Sequence, residues 1–314
     1  MSAHHLPEAS AFSPASVGNI GVGFDLLGHT VTGIGDIAHV RRIESPEVRI
    51  ASIDGDLPGV CQIPLEAARN TAGQALIALR AQTGIDFGFE LRLQKGIPLG
   101  SGLGGSAASC VAALIAANAL LPTPLDRHAL YGCALQGESV ASGSRQGDNV
   151  APMLLGGVVM CTPTQMIRLS APDWLHAVVV HPAQILETRR ARAVLAEPYP
   201  LPQVVQHCAH LGLFLTGLAQ GERALIAAGL RDILVEPRRA PLIPGFAEVK
   251  AAALAHDALG ASISGAGPSV FAWFDDAGRA HQAASAMQAA FAAAGFDSDA
   301  HIGPVNGPRA ELLG

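Results

Sequence analysis

The chain has 314 residues, enough for about two domains with cores of their own. Hydrophobic residues make up 49% of it and charged residues only 15%, so it can bury a large core. The formal net charge is −6 and the sequence pI is about 6.0. This balance argues against a nucleic-acid platform and against a protein that binds anionic membranes.

The cysteines and the N-terminal segment indicate the cytoplasm. Five cysteines are scattered without a CxxC pair, which is typical of a reducing compartment and not of a disulfide framework or a zinc site. Residues 1–14 lack the basic-then-apolar order of a secretory leader. The longest apolar stretch, residues 107–121, is shorter than the roughly 20 residues of a membrane span, so we expect a buried helix there and no membrane partner.

In chain order, the first clear element is FELRLQ (residues 89–94), whose alternation of apolar and polar residues predicts a half-buried strand. A glycine-dense loop, residues 96–105, follows it. Residues 106–121 are rich in alanine and predict one long helix that two prolines bring to an end. Asp126 is the predicted N-cap of a second helix that runs to about residue 142.

A polar loop at residues 142–149 leads to a predicted strand at residues 157–161. We expect a boundary near residue 170 that divides the chain into domains of residues 1–170 and 171–314. The predicted elements of the second half are helices at 189–196, 202–218, 221–228, 244–258 and 278–294, and strands at 175–180, 261–264, 269–274 and 299–303. Both halves are therefore expected to be α+β layers around separate cores.

The strongest chemical signal is PLGSGLGGSAAS, residues 98–109. Its closely spaced glycines leave backbone N–H groups free to converge on an anion. The helix that follows adds its unpaired N-terminal donors and the positive end of its dipole. Ser101, Ser106 and Ser109 can donate to phosphate oxygens or bind Mg²⁺. The segment therefore predicts a phosphate-binding loop.

The kind of phosphate ligand is narrowed by what the loop lacks. It is not a Walker A motif, because the GK[ST] ending is absent. Gly100, Gly102 and Gly105 match the GxGxxG pattern of dinucleotide-binding proteins. That pattern requires a carboxylate about 20 residues later at the end of a strand, and here the position is the predicted helix cap Asp126. A dinucleotide oxidoreductase is therefore the weaker alternative.

The glycine loop resembles the P-x-x-x-G-L-G-S-S-A-A motif of the GHMP kinase family. PASVGNIGVGFDLLG, residues 14–28, is similar to the family's first motif in the form that homoserine kinases have, and SGAGPS, residues 264–269, is similar to its third. Three further segments are similar to homoserine kinases in particular: GDNVAP (147–152), ETRRAR (187–192) and DILVEPRRAPLIPGF (232–246).

This resemblance implies a two-domain α+β fold, with an N-terminal domain like the second domain of ribosomal protein S5 and a ferredoxin-like C-terminal domain. It implies an ATP-dependent kinase that uses Mg²⁺ and phosphorylates the hydroxyl of L-homoserine, a step of threonine biosynthesis. It also implies a homodimer, the common state in the family.

The resemblance also implies roles for individual residues. The substrate-binding residues it implies are Asn19, Asp25, Asn149, Arg192 and Arg239. The catalytic residues it implies are Asn149 and Thr188, and the residues it implies for Mg²⁺ are Ser106 and Glu138. The nucleotide-binding residues it implies are Pro98, Leu99, Gly100, Ser101, Gly102, Leu103, Gly104, Gly105, Ser106, Ala107, Ala108, Ser109, Gly265 and Gly267.

The chemistry of homoserine agrees with these roles. The molecule is a zwitterion with a neutral hydroxyl, so its pocket needs a cation, an anion and a polar group. Arg192 and Arg239 suit the carboxylate, since arginine can bind it bidentately, and Asp25 suits the ammonium. Asn149 cannot take a proton at neutral pH, so it is expected to orient the hydroxyl and no general base is assigned. Its neighbour Asp148 is a candidate helix cap.

The chain departs from the family pattern at three positions. Gln146 stands where a histidine is usual, Gly147 where a proline is usual, and Gly105 where the loop's first serine is usual. At the entrance of the loop, Lys95 could reach a phosphate or could be a solvated strand end.

Two alternatives remain besides the dinucleotide enzyme. A mevalonate-type GHMP kinase would act on a substrate without an ammonium group and would leave Asp25 without a partner. A catalytically inactive GHMP-fold ligand sensor is disfavoured because Ser106 and Glu138 are both present.

Overall fold

The computed structural model describes residues 7–143 and 145–314. Residues 1–6, which belong to the N-terminal segment considered above, and Ser144, in the polar loop, lie outside the described residues. The strands are β1 (Glu8–Gly18), β2 (Leu27–Ile43), β3 (Val48–Asp54), β4 (Gly88–Gln94), β5 (Val158–Cys161), β6 (Met166–Arg168), β7 (His176–Pro182), β8 (Gly260–Ile263), β9 (Val270–Phe274), β10 (Ser298–Pro304) and β11 (Glu311–Leu312).

The chain also forms α-helices and three short 3-10 turns. The helices are α1 (Thr71–Thr83), α2 (Gly105–Asn118), α3 (Arg127–Ser142), α4 (Val150–Leu155), α5 (Thr188–Ala193), α6 (Leu201–Gln220), α7 (Arg223–Gly229), α8 (Glu236–Arg239), α9 (Phe246–Ala255) and α10 (Ala277–Ala293). The 3-10 turns are Val60–Gln62, Ala67–Arg69 and Ala240–Leu242.

The first sheet has the strand order β11-β1-β2-β4-β3, with β5 paired to β2 and β6 paired to β5. Only β3 and β4 run parallel among the described strand pairs. Helix α2 packs against β1 and β2, and α1 and α3 pack against it. Residues 107–117 of α2 are all buried, because this stretch has no charged side chain to solvate. The predicted buried helix is confirmed.

The second sheet is antiparallel with the order β10-β7-β9-β8. Its chain order, strand, helices, two strands, helix and strand, is the β-α-β-β-α-β arrangement of the expected ferredoxin-like fold. Helices α9 and α10 cover one face. On the other face, Phe271 and Trp273 of β9 join the core of the first sheet, since side chains alternate between the two faces of a strand. An apolar interface therefore holds the two sheets together.

A buried polar contact reinforces this interface. His29 on β2 accepts a hydrogen bond at Nε2 from Trp273 Nε1 (3.2 Å), and its Nδ1 lies 2.9 Å from the carbonyl oxygen of Thr30. Burial lowers the pKa of His29 to about 4, so the ring is neutral at neutral pH. The two sheets are therefore fixed by a specific contact as well as by apolar packing.

The predicted elements that position the glycine loop are confirmed. Strand β4 spans the predicted positions, and Asp126 caps α3 by accepting the N–H of Ala129 (2.7 Å). Helix α2 ends at Asn118, three residues before the predicted end, because the N–H of Leu120 already bonds the carbonyl of Ala117 in a tighter turn. The predicted strands and helices after residue 170 are confirmed within a few residues.

Other elements were not predicted. Strands β1, β2 and β3 and helix α1 lie before residue 89, where no element is predicted from the sequence. Helix α8 and the short strands β6 and β11 are also absent from the prediction. The boundary near residue 170 stays a prediction: β6 and β7 flank it in different sheets, while β11 returns to pair with β1. In the described part of the chain, no helix has both the length and the apolar character needed to cross a bilayer.

Two glycines of α3 test how closely this helix packs. A Cβ on exposed Gly132 would meet nothing within 4 Å, whereas a Cβ on Gly137 would lie 2.5 Å from Thr71 O and 2.7 Å from Cys110 Sγ. We expect Gly132→Ala to raise the free energy of unfolding by about 0.5–1 kcal/mol, because alanine restricts the unfolded chain. We expect Gly137→Ala to lower it by about 1–3 kcal/mol through overpacking. Urea denaturation measures both, and equal stabilities would contradict the tight packing.

Candidate active site

A cavity of about 420 Å³ opens between the two sheets and collects most of the residues that the sequence singles out. The substrate, catalytic and metal candidates that line it are Asn19, Asp25, Ser106, Glu138, Asn149, Thr188, Arg192 and Arg239. The nucleotide candidates that line it are Pro98, Leu99, Gly100, Ser101, Gly102, Gly104, Gly105, Ser106, Ser109 and Gly265. Its size is that of a small-molecule site.

Four of the residues expected to bind the nucleotide do not line the cavity, and their binding role stays a prediction. Leu103 is fully buried in the first core, and Ala107 and Ala108 lie inside the buried part of α2. Gly267 packs away from the cavity, where a Cβ would lie 2.7 Å from Ile243 Cδ1. These four residues lie behind the cavity wall and do not line the cavity themselves.

The glycine loop owes its shape to three residues in the left-handed region. Gly100, Gly102 and Gly104 have φ of 62°, 78° and 70°, values that residues with a Cβ rarely adopt. Gly104 precedes α2 without any side-chain cap, so the first N–H groups of the helix remain as donors at the cavity wall. Gly105 needs no special φ, and a Cβ there would lie 3.2 Å from Ile97 Cγ2. A serine at that position would therefore require only a small shift.

A buried ion pair between Lys95 and Asp36 braces this loop from below. Lys95 Nζ also donates to the carbonyl of Gly105 (2.8 Å) and to Ser109 Oγ (2.7 Å). Asp36 accepts Ser109 Oγ (2.7 Å) and two backbone N–H groups at the loop entrance (2.9 and 3.1 Å). Lys95 is thus neither a solvated strand end nor free to reach a phosphate, and both interpretations were wrong.

The same network corrects the role expected of Ser109 and adds a residue that was missed. The hydroxyl of Ser109 is held by Asp36 and Lys95 and not directed at a ligand. Asp36 has no exposed surface, and its one signal in the sequence is a lone carboxylate inside a long strand. That signal is too weak to indicate a partner 59 residues away.

The brace can be tested by removing its cation. We expect Lys95→Met to lower the free energy of unfolding by about 3–5 kcal/mol, because Asp36 would keep a buried charge without its partner. Because the loop would loosen, ATP should also bind more weakly. The double variant Asp36→Asn/Lys95→Met should recover a large part of the lost stability. Urea denaturation and calorimetric titration with ATP measure these effects, and additive losses in the double variant would contradict the pairing.

The three glycine-containing motifs meet at Gly265. Its carbonyl oxygen accepts Asn19 Nδ2 (2.8 Å) and Arg239 Nη1 (2.9 Å), and its N–H donates to the carbonyl of Gly18 (3.0 Å). Ser264 Oγ, next to it, donates to the carbonyl of Gly102 in the glycine loop (2.8 Å). The first motif, the phosphate loop and the third motif are therefore directly bonded to one another.

Asn19 has a structural task that the sequence did not reveal. While Nδ2 bonds Gly265, Oδ1 accepts the backbone N–H of Asp25 (2.9 Å). Asn19 and Asp25 both have positive φ, 70° and 59°, which asparagine and aspartate tolerate better than other side chains with a Cβ. Asn19 therefore holds the loop that presents Asp25 to the cavity.

The residues expected to bind the two charges of the substrate bind each other here. Arg192 donates to both oxygens of Asp25, at 2.8 and 3.2 Å. Arg239 is only 2% exposed and donates from Nε to the carbonyl of Ala191 (3.0 Å). Both guanidinium groups lie over the ring of Phe24, at 5.6 Å for Arg192 and 5.2 Å for Arg239. The resulting cluster of both signs of charge is preformed.

Asn149 and Asp148 lie beside this cluster. Asn149 Oδ1 accepts Ser16 Oγ (2.8 Å), which fixes the orientation of the amide and leaves its N–H groups as donors. Asp148 lines the cavity at 4% exposure, and helix α4 has no side-chain cap at Asn149. Burial, followed by the charge of Asp25, raises the pKa of Asp148 to about 7. The helix-cap role considered for Asp148 is therefore not what the structure shows.

Two of the departures from the family pattern have a visible place. Gln146 lines the cavity. A Cβ on Gly147 would lie 2.0 Å from Tyr131 Oη, so this glycine makes room for a tyrosine whose hydroxyl donates to the carbonyl of Thr162 (2.8 Å). Gly147 is thus a packing adaptation.

Ser106 and Glu138 provide hard oxygens near the start of α2. Ser106 Oγ lies 3.0 Å from each carboxylate oxygen of Glu138. Burial raises the pKa of Glu138 to about 7, so a cation would be favourable there. Within residues 7–143 and 145–314, no group of three His, Cys, Asp or Glu side chains could hold a metal. Oxygen ligands from two side chains beside a phosphate loop fit Mg²⁺, which keeps its waters and takes its other ligands from phosphates.

Part of the cavity lining is apolar. It consists of Ile63, Pro64, Leu99 and Val140, which we call the apolar end. The cavity therefore combines an apolar end, a phosphate loop and a charged end.

Comparison with known proteins agrees with this layout. The profile described as the GHMP kinases N terminal domain matches residues 70–157, and that described as the GHMP kinases C terminal matches residues 214–293. The homoserine kinase of Xanthomonas campestris pv. campestris (strain B100) is 58% identical over 311 residues, covering 99% of this chain and 96% of the relative. The chain belongs to the homoserine kinase family of GHMP kinases.

Further relatives extend the agreement. The homoserine kinase of Xylella fastidiosa (strain M12) is 56% identical over 307 residues, covering 98% of this chain and 94% of the relative. The crystal structure of the homoserine kinase from Cytophaga hutchinsonii ATCC 33406 is 38% identical with a TM-score of 0.93, and 98% of each chain is covered. The expected two-domain α+β GHMP kinase fold is confirmed, and the dinucleotide oxidoreductase is rejected.

Proposed function

We propose that this chain transfers the terminal phosphoryl group of ATP to the hydroxyl of L-homoserine, giving ADP and O-phospho-L-homoserine in threonine biosynthesis. The observation that carries the proposal is one cavity lined both by an anion-binding loop and by a cluster of both signs of charge. Such a cluster suits a zwitterion. Membership in the homoserine kinase family supports the same substrate.

ATP occupies the loop and the apolar end in this proposal. The N–H groups of the glycine loop and the uncapped start of α2 bind its phosphates. The purine base fits the apolar end formed by Ile63, Pro64, Leu99 and Val140. This orientation directs the terminal phosphate toward the charged end, where the acceptor hydroxyl must lie.

Ser106 and Glu138 would hold Mg²⁺. When bound, this cation neutralises charge on the phosphates, which is its usual contribution to phosphoryl transfer. Glu138 must be ionised to bind it, and burial raises the pKa of Glu138 to about 7. Metal affinity should therefore decrease as the pH falls below 7.

Binding of homoserine breaks the ion pair between Arg192 and Asp25. Its carboxylate binds Arg192 and Arg239, and its ammonium binds Asp25. Because both side chains are already oriented, the exchange replaces one ion pair by three charge-assisted contacts. Asn19 keeps Asp25 in place throughout.

The reaction depends on positioning. Asn149 donates an N–H to the acceptor hydroxyl oxygen, and Thr188, at the first turn of α5, contacts the same end of the substrate. An amide cannot accept the proton, so these residues orient the nucleophile and do not activate it by proton removal. A loose transition state for phosphoryl transfer is compatible with this arrangement.

A coupled assay of ADP release with Mg²⁺ tests the proposal across L-homoserine, mevalonate and phosphomevalonate. We expect the highest kcat/KM with homoserine, because the other two lack the ammonium that Asp25 binds. Turnover with mevalonate but not homoserine would support the mevalonate-type alternative. Folded protein that binds a ligand without releasing ADP would support the inactive sensor.

Arg239 can be tested without deleting its charge. We expect Arg239→Lys to raise the KM for homoserine by about tenfold or more, because an ammonium cannot bind a carboxylate bidentately. Arg238→Lys is the matched control, since Arg238 neighbours Arg239 but donates only to the carbonyls of Leu195, Glu197 and Pro198 among the described residues. Its KM should stay within about twofold of the original. Equal KM values for the two variants would refute the carboxylate role.

The metal role of Glu138 has a separate readout. We expect Glu138→Gln to lower kcat by about a hundredfold or more and to raise the Mg²⁺ concentration needed for half-maximal rate. Size is preserved, so the change isolates the charge. A Mg²⁺ titration of the reaction rate measures this, and an unchanged midpoint would speak against the assignment.

We also propose a cytoplasmic homodimer. Helix α6 contains no Asp, Glu, Lys or Arg, and it exposes Leu201, Val205 and Leu213 on its surface. An uncharged exposed helix face is a suitable surface for a second copy. Light scattering after size-exclusion chromatography gives the mass in solution, and a strict monomer would remove this part of the proposal.

A further inference from the structure

A second carboxylate, that of Asp148, lies at the end of the cavity where Asp25 lies. Its position is closely defined. A Cβ on Gly18 would come within 2.4 Å of Asp148 Oδ2, and a Cβ on Gly28 within 1.8 Å of Asp148 O. Both strands therefore carry glycine where they pass this residue, and the carboxylate is held in the wall at 4% exposure.

No cation neutralises this carboxylate directly among the described residues. Backbone N–H groups of Asn19 and of Asp148 itself favour its ionised form. The positive charge of Arg192 favours the ionised form of Asp148, but both terminal nitrogens of Arg192 donate hydrogen bonds to Asp25. The charged and titratable groups that face it are Asp25, Glu138, Arg192, Arg239, Tyr131 and Cys161.

The charges of the side chains in this cluster indicate which ligand would balance them. The charged end holds two guanidinium groups, Arg192 and Arg239, and two carboxylates, Asp25 and Asp148. A zwitterionic substrate brings one charge of each sign. When the substrate carboxylate binds Arg192, neither Asp25 nor Asp148 keeps that guanidinium as its cation. The substrate ammonium has three N–H donors and can bind both aspartates.

We infer that Asp148 is the second carboxylate of the ammonium pocket and that it makes the site select amino alcohols over alcohols without an amine. This inference rests on the proposed function, since it names a selectivity determinant of the same site. A buried carboxylate without a cation costs more than an exposed one, so its interaction with an arriving ammonium is correspondingly larger.

The titration of Asp148 agrees with this role. Burial, and after it the charge of Asp25, raises its pKa to about 7. Protonation below pH 7 removes the negative charge that attracts the ammonium. The KM for homoserine should therefore increase as the pH falls below 7, while an acceptor without an amine should show no such increase from this group.

One other role is open to a carboxylate next to Asn149. Asp148 could instead take the proton of the acceptor hydroxyl. That role predicts a loss in kcat for every acceptor alcohol, whether or not it has an amine. The ammonium role predicts a change in KM that only amine-bearing acceptors show, so the two are separable by experiment.

The test compares L-homoserine with 4-hydroxybutanoate, which has the same carboxylate and hydroxyl but no amine, in the coupled ADP assay at pH 8. We expect Asp148→Asn to raise the KM for homoserine by about tenfold or more. The ratio of kcat/KM for homoserine to that for 4-hydroxybutanoate should fall by the same factor. Asp86→Asn removes an exposed carboxylate that does not line the cavity and should leave the ratio as it is.

Two results of this comparison would overturn the inference. One is a ratio of the two kcat/KM values that is the same in Asp148→Asn as in the unaltered protein, whether kcat/KM falls equally for both acceptors or for neither. The other is a decrease in kcat without a change in KM. If the variant does not fold by circular dichroism, the unaltered protein still decides: parallel KM profiles for the two acceptors between pH 6 and 8 would overturn the role. Absence of homoserine turnover by the unaltered protein would refute the proposed function itself, whatever the variant does.

Discussion

The geometry of the site depends on one backbone carbonyl, that of Gly265. It accepts hydrogen bonds from Asn19 Nδ2 at 2.8 Å and from Arg239 Nη1 at 2.9 Å. Gly265 must be glycine here, because a Cβ would lie 2.9 Å from Gly102 O and its φ is 55°. Together with the bond from Ser264 Oγ to the carbonyl of Gly102, this contact fixes the distance between the phosphate loop and the amino-acid pocket. Phosphoryl transfer needs that distance fixed, since reacting atoms must approach to roughly 3–3.5 Å in line.

Features set by local backbone geometry could be predicted from the sequence. Gly100, Gly102 and Gly104 each take a positive φ, and the requirement is visible as a glycine. Partnerships between distant residues could not be predicted in this way. Asn19 and Gly265 are 246 residues apart, and Asp36 and Lys95 are 59 apart, so topology alone brings them together. The family resemblance indicated residues most of which line the cavity, but the hydrogen bonds between them are visible only in the fold.

The missed N-terminal strands have a related cause. In β1, residues 13–18 are all buried, so the strand lacks the alternation that marks a half-buried strand. Two of those residues, Ser13 and Ser16, are polar, and Ser16 is there to orient Asn149. Buried polar residues such as Ser16, which orient the site, thus weaken the apolar–polar alternation from which a strand is predicted. The second half was easier to predict, because β9 is entirely apolar and buried and β7 contains the buried apolar run of residues 177–180.

The buried titratable groups act on stability in opposite directions. The pKa of His29 is lowered to about 4, so between pH 4 and 6.5 the unfolded chain binds more protons, and His29 favours folding as the pH rises. Glu138 and Asp148 have pKa values raised to about 7, so from about pH 4 to 7 the folded chain binds more protons, and these two oppose folding as the pH rises. At neutral pH, therefore, His29 in the core no longer lowers the free energy of unfolding, whereas the ionised carboxylates of Glu138 and Asp148 in the site do lower it. A metal ion and an ammonium bind only the folded state, so they relieve the cost where it arises and stabilise the fold in proportion to their occupancy.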